Sequence, residues 1–86
     1  MLMMYRDSNE SDIELIEAFH MHVDGNSLMF SHHGESNQVI KRHVEFESNE
    51  VAFNMLEQIA TWTLKGHLVF LDKPNMSKDI MIYQQP

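Results

Sequence analysis

The 86-residue chain sets thirteen Asp and Glu against six Lys and Arg, a formal charge of −7, with 43% apolar residues and no cysteine. A chain of that length fits one domain burying about 60% of its unfolded surface, its apolar content excludes disorder, and the lack of cysteine excludes disulfides and thiolate chemistry. The acid excess excludes sequence-tolerant nucleic-acid binding, which needs cations against phosphate, while the absence of an ~18-residue apolar run or a signal segment excludes a membrane span and makes the cytoplasm the expected setting.

Taken in chain order, Met1 to Tyr5 is short and apolar, fitting an edge strand, a frayed terminus or a contact patch. Asp7 to Ser11 is a polar breaker, and Ser11-Asp12-Ile13-Glu14 then matches a capping box, in which the Ser and Glu side chains satisfy each other's backbone N–H groups. Ile13, Leu15, Ile16 and Phe19 share one side of a helical wheel, with Glu14 and Glu17 pointing away, so the pattern predicts a short helix over residues 12–18.

Phe19 to Val23 alternates, Asp24-Gly25-Asn26-Ser27 is turn chemistry, and Leu28 to His33 is a second run. This predicts a β-hairpin pairing Val23 with Leu28 and Met21 with Phe30, with His20, His22, Met29, Ser31 and His33 on the opposite face. Gly34 to Gln38 reads as a loop and Val39 to Glu47 as a third strand, with Ile40, Val44 and Phe46 on one side. Ser48 and Asn49 are both suitable N-caps for a main helix reaching about Leu64, whose rows Val51-Met55-Ile59 and Ala52-Leu56-Ala60 form one broad apolar stripe. Gly66 is its natural stop. His67 to Leu71 lacks polar alternation, predicting a strand covered on both sides. Asp72 to Asp79 is a turn, and Ile80 to Tyr83 a last, peripheral strand. The predicted fold is α+β, a helix-on-antiparallel-sheet domain of two layers over residues 1–86 in the order α-β-β-β-α-β-β.

Three features bear on function. Asp7, Glu10, Asp12, Glu14 and Glu17 lie close together with only Arg6 for company. They read either as a solvated helix face or as a footprint for a basic partner, carried by Glu10, Asp12, Glu14 and Glu17. Trp62 flanks the helix stripe, where it either closes the core edge or anchors an interface. His20-x-His22 on a strand puts two rings on one face, a spacing that zinc uses. His33 lies too far along its strand to join them, so a metal would need His43 or Glu45 from the next one; His20, His22 and His43 are the candidate ligands. The bland alternative is a His-rich polar face.

No His-Glu-x-x-His, Gly-x-Ser-x-Gly or Gly-rich phosphate loop is present, which argues against an enzyme and against a cofactor. Ser31-His32-His33-Gly34-Glu35 reads as a polar hairpin exit, and His43 and Glu45 as two solvated side chains. The first five elements follow the helix, three strands, helix order of double-stranded-RNA-binding domains, but the second helix opens with Glu50 where such a domain meets phosphate with Lys or Arg. In size, charge and lack of motifs the chain resembles the small phage-encoded inhibitors of bacterial defence, such as anti-CRISPR proteins. That resemblance of type implies an inhibitor or adaptor acting in a host cytoplasm. The expectation is therefore a non-catalytic acidic protein that covers a basic surface on a nucleic-acid-handling protein partner, with no direct contact to nucleic acid or membrane. A His-rich metal-binding module is one alternative. A structural homo-oligomer is the other, such as a homodimer pairing through the Met-rich start and an outer strand.

Overall fold

A computed structural model describes residues 1–75 and the strand backbone of residues 82–85. It is a small α+β fold in which one long helix packs on one face of a sheet. The strands are β1 (Leu2–Arg6), β2 (Glu14–Asp24), β3 (Ser27–His33), β4 (Val39–Glu45), β5 (Leu68–Asp72) and β6 (Ile82–Gln85). Their spatial order is β4-β3-β2-β1-β5-β6, antiparallel throughout except for the parallel β1–β5 pair. The sheet is thus mixed, against the antiparallel expectation. The parallel pair arises because α1 (Asn49–Leu64) carries the chain from edge strand β4 across the sheet to the far side of β1.

The order is β-β-β-β-α-β-β, so the predicted first helix is replaced by a strand. Its signals were diverted to other uses. Ser11, the expected cap, bonds back to Ser8 through both its amide (3.1 Å) and its hydroxyl (2.7 Å), closing a turn instead. Met1 to Tyr5 then needs a partner, and the segment Glu14–Glu17 supplies an antiparallel one in the register Leu2↔Glu17 to Tyr5↔Glu14. Ile16 and Ala18 are buried by this choice, while Ile13, Leu15 and Phe19 are left more than half exposed. Long-range pairing has overridden local periodicity, as it often does. Far from being an edge or frayed end, β1 is a central strand with Met3 and Tyr5 fully buried.

The hairpin and main helix form where they were expected. Val23 pairs with Leu28 and Met21 with Phe30, and Gly25 has φ 62° as the first residue of the two-residue turn, where a II′ geometry requires it. A bulge between Ala18 and His20 lets β2 change register as it passes from β3 to β1. Ser48 caps α1, its Oγ accepting from Val51 N–H at 3.2 Å. At the other end Gly66 takes φ 85°, and Gly66 and His67 donate to the carbonyls of Thr63 (3.0 Å) and Trp62 (3.0 Å), a Schellman stop.

The core lies between α1 and the sheet: Ala52, Met55 and Ile59 meet Met3, Tyr5, Ile16, Leu28, Phe30, Val44, Val69 and Leu71. With one helix, only one face is covered. β5 is therefore shielded on the helix side through Val69 and Leu71, while Leu68 and Phe70 are half-buried on the other, which corrects the expectation of a strand covered on both sides. β4 ends at Glu45 rather than Glu47. The last strand spans Ile82–Gln85, and the Ile80 and Met81 part of its predicted range lies outside the described residues, as does the 76–79 half of the turn before it. No described helix is long and apolar enough to cross a membrane.

Candidate functional site

At the end of the sheet where β1 gives way to the 7–13 loop, the helix-facing surface turns polar. Arg42 of β4 is its centre. Its Nε donates to His32 Nε2 at 3.2 Å, Nη2 lies 3.3 Å from a Glu14 oxygen and Nη1 3.8 Å from Asp7. The guanidinium carbon stands 5.2 Å from the centroid of the Tyr5 ring, whose hydroxyl donates to Asp7 at 2.6 Å. Lys73, in a 3₁₀ turn after β5, adds a second cation 3.9 Å from Asp7. His32 is buried, and its role as acceptor requires Nε2 to be unprotonated, leaving Nδ1 to face the His33 carbonyl at 3.2 Å. On the opposite face Arg6 grips the buried Asp72 with two bonds of 2.8 and 2.9 Å, and Asn75 adds a third at 2.8 Å.

These contacts shift three groups. The Tyr5 phenol is pushed up by burial and by its bond to the Asp7 carboxylate. The same bond, joined by the Lys73 and Arg42 charges, holds Asp7 below the ordinary carboxylate value. The bond from Arg6, helped by Asn75, holds Asp72 down likewise. A carboxylate whose folded value is depressed contributes stability above its unfolded value of ~3.9 and loses it as pH falls through the folded one. Urea midpoints are therefore expected to hold from neutrality to about pH 4 and to drop below it. Asp72→Asn should start lower at neutral pH and lose less in acid, and an unchanged acid slope in that variant would show that Asp72 plays no part.

The acidic residues predicted to share a helix face do not share one. Glu10 and Asp12 are exposed in the 7–13 loop, Glu14 is drawn inward to Arg42, and Glu17 points to the opposite sheet face beside Leu2. Trp62 sits near the other end of β1, half-buried against the core, with its ring edge-on to His67 at 5.1 Å and the Lys65 ammonium 5.0 Å from its centroid. It packs at the core edge, away from Glu10 and Asp12. His20 and His22 do lie side by side, ring centroids 4.8 Å apart, and His43 stands one strand further, across Met29 from His22. Among the described residues no three His, Asp or Glu come together as a metal site.

The sequence reading missed a second acidic region. The β2–β3 turn is tied to the β4–α1 junction by Asn26, which exchanges bonds with Phe46, and by Asn49, which donates to the Gly25 carbonyl. This brings Asp24, Glu45, Glu47 and Glu50 to one end of the molecule, all exposed. Their alternation around a secure hairpin and cap was the available signal. Of the twelve described carboxylates, only Asp7, Glu14 and Asp72 are in ion pairs. The other nine are exposed, and among the described residues no cation lies within 4.0 Å of them. Comparison with protein-family models, curated proteins and solved structures gave no match.

Proposed function

We propose that this chain is a non-catalytic binding protein whose acidic surface docks on a basic surface of a protein partner, of the kind that nucleic-acid-handling proteins present. The observation that supports this is the separation of the charges. Arg6, Arg42 and Lys73 are engaged by carboxylates inside the molecule and Lys65 stands over Trp62, so of the described cations only Lys41 is left without such a contact. Nine of the described carboxylates then face solvent with no described cation in contact. Such a field speeds encounter with a cationic surface and repels nucleic acid.

Competition provides the test. The protein is titrated into complexes of basic nucleic-acid-binding proteins with a fluorescent DNA duplex, and displacement of the DNA is followed. Displacement should fade as rising salt shortens the Debye length toward about 8 Å. Neutralising Asp24, Glu45, Glu47 and Glu50, or Glu10, Asp12 and Glu17, to Asn and Gln should weaken it about tenfold for the set that makes contact, the worth of ~1.4 kcal/mol, with circular dichroism unchanged. A protein that displaces DNA from no basic partner even at low salt does not work this way.

A further inference from the structure

The one described helix packs on one face of the sheet, and successive strand residues point to opposite faces. Met3 and Ile16 are buried under α1, so the cross-strand pairs Leu2↔Glu17 and Met4↔Leu15 stand on the other face. His32 is buried likewise, and its neighbour His33 pairs with Val39 on that same open face. Phe19, the extra residue of the bulge, lays its ring on His33, centroids 4.8 Å apart and 28° from parallel. Leu2, Leu15, Phe19 and Val39 are 46–63% exposed. Four of the seven exposed large apolar side chains among the described residues therefore share this face, and a clustered apolar surface marks a contact where scattered residues do not.

Both signs of charge stand beside this apolar surface. Glu17 has no described cation within 4.0 Å. Lys41, opposite Ser31 on the same face, is the described cation that neither a carboxylate nor an aromatic ring holds. The two lie two strands apart, roughly 10 Å across the sheet and 7 Å along it, with the Phe19–His33 stack between them.

We infer that this open face is the contact surface for a second copy of the chain, stacked face to face about a two-fold axis. An axis in the plane of contact, midway between Lys41 and Glu17, carries the position of each onto the other. Lys41 of either copy then meets Glu17 of its mate, and the Phe19–His33 stacks close on one another between the two ion pairs. That axis runs obliquely to the strands, so the strands of the two sheets cross at roughly 70°, nearer the orthogonal class of sheet packing than the aligned one. Charge selects the occupant. A cationic surface would be opposed by Lys41 and an anionic one by Glu17, whereas a surface with one of each, set apart, complements its own copy. The apolar residues supply the affinity and the ion pairs set the register. This goes beyond the acidic-binder reading and does not depend on it.

Sedimentation velocity tests the pairing, at about 0.15 M salt so that repulsion between two chains of −7 is screened beyond ~8 Å. The parent should be dimeric at about 100 µM, and a monomer there overturns the inference. Lys41→Glu and Glu17→Lys, both at exposed strand positions, should each weaken the dimer by at least about tenfold, because like charges then meet twice. Mixed in equal amounts the two variants should recover a dimer, since opposite charges face each other again at both ends. Phe19→Ser should weaken it by at least about tenfold with circular dichroism unchanged. A dimer that survives either charge reversal or Phe19→Ser, or a mixture that stays monomeric, places the contact elsewhere and overturns the assignment. DNA displacement by the Lys41→Glu chain separates the two readings, since it can persist in a chain that no longer pairs.

Discussion

Phe30→Ala is expected to lower the free energy of unfolding by about 3–5 kcal/mol. Phe30 is 1% exposed on the helix-facing side of β3, between Met21 of β2 and Arg42 of β4 in register. Its ring meets the Tyr5 ring edge to face, 5.2 Å apart at 75°. Truncation removes the apolar transfer energy, leaves a cavity under the helix, and forfeits an aromatic pair worth ~0.5–1.5 kcal/mol. Domains carry roughly 0.05–0.15 kcal/mol per residue, so for 86 residues the loss is a large part of the total. Urea denaturation measures it directly. Phe30→Leu, which keeps most of the volume, should stay within about 2 kcal/mol of the parent. A loss below ~1 kcal/mol for the alanine variant would mean that the space refills or that Phe30 is not a core residue.

What could be read from the sequence is what is decided within a few residues. The Asp24–Ser27 turn, the Ser48 cap and the Gly66 stop each need only their neighbours, and each stands where its local chemistry put it. Residues 12–18 failed because two patterns compete there and the winner is chosen from outside. Ile13, Leu15, Ile16 and Phe19 do form a helical stripe, yet Leu2–Tyr5 offers a ladder that buries Ile16 and leaves the other three more than half exposed. That choice also dispersed the acidic face, since successive strand residues point to opposite sides. Glu14 went inward to Arg42 and Glu17 outward. His32 carried the same ambiguity: it looked like part of a polar hairpin exit and is buried at 3% exposure, because Arg42 of the neighbouring strand supplies its partner. The acidity itself was legible, but the partition of the described carboxylates into three paired with described cations and nine not so paired depends on contacts such as Arg6–Asp72, 66 residues apart.

Arg42→Met is expected to cost about 2–4 kcal/mol, more than a surface ion pair accounts for. The ion pairs supply little: Glu14 and Asp7 are 42% and 46% exposed, and exposed pairs contribute ~0–1 kcal/mol. The stacking over Tyr5 adds about 0.5–1 kcal/mol. The rest comes from His32, whose buried Nε2 loses the Arg42 donor, a vacancy that costs ~1–3 kcal/mol. Arg42→Lys restores the charge without the planar fork, so it should recover only part of the loss. A double-mutant cycle separates the contributions. If the orphaned His32 nitrogen dominates, His32→Phe should make the Arg42→Met change markedly cheaper, with a coupling of at least ~1 kcal/mol by urea denaturation. Additivity within about 0.5 kcal/mol would assign the whole effect to charge and stacking. The same cycle reports on the sheet as a unit, because Arg42 joins β4 to β3 through His32, to β2 through Glu14 and to β1 through Tyr5. Its loss should therefore speed amide exchange in Tyr5 and His32 together, two strands that are not neighbours in the sheet.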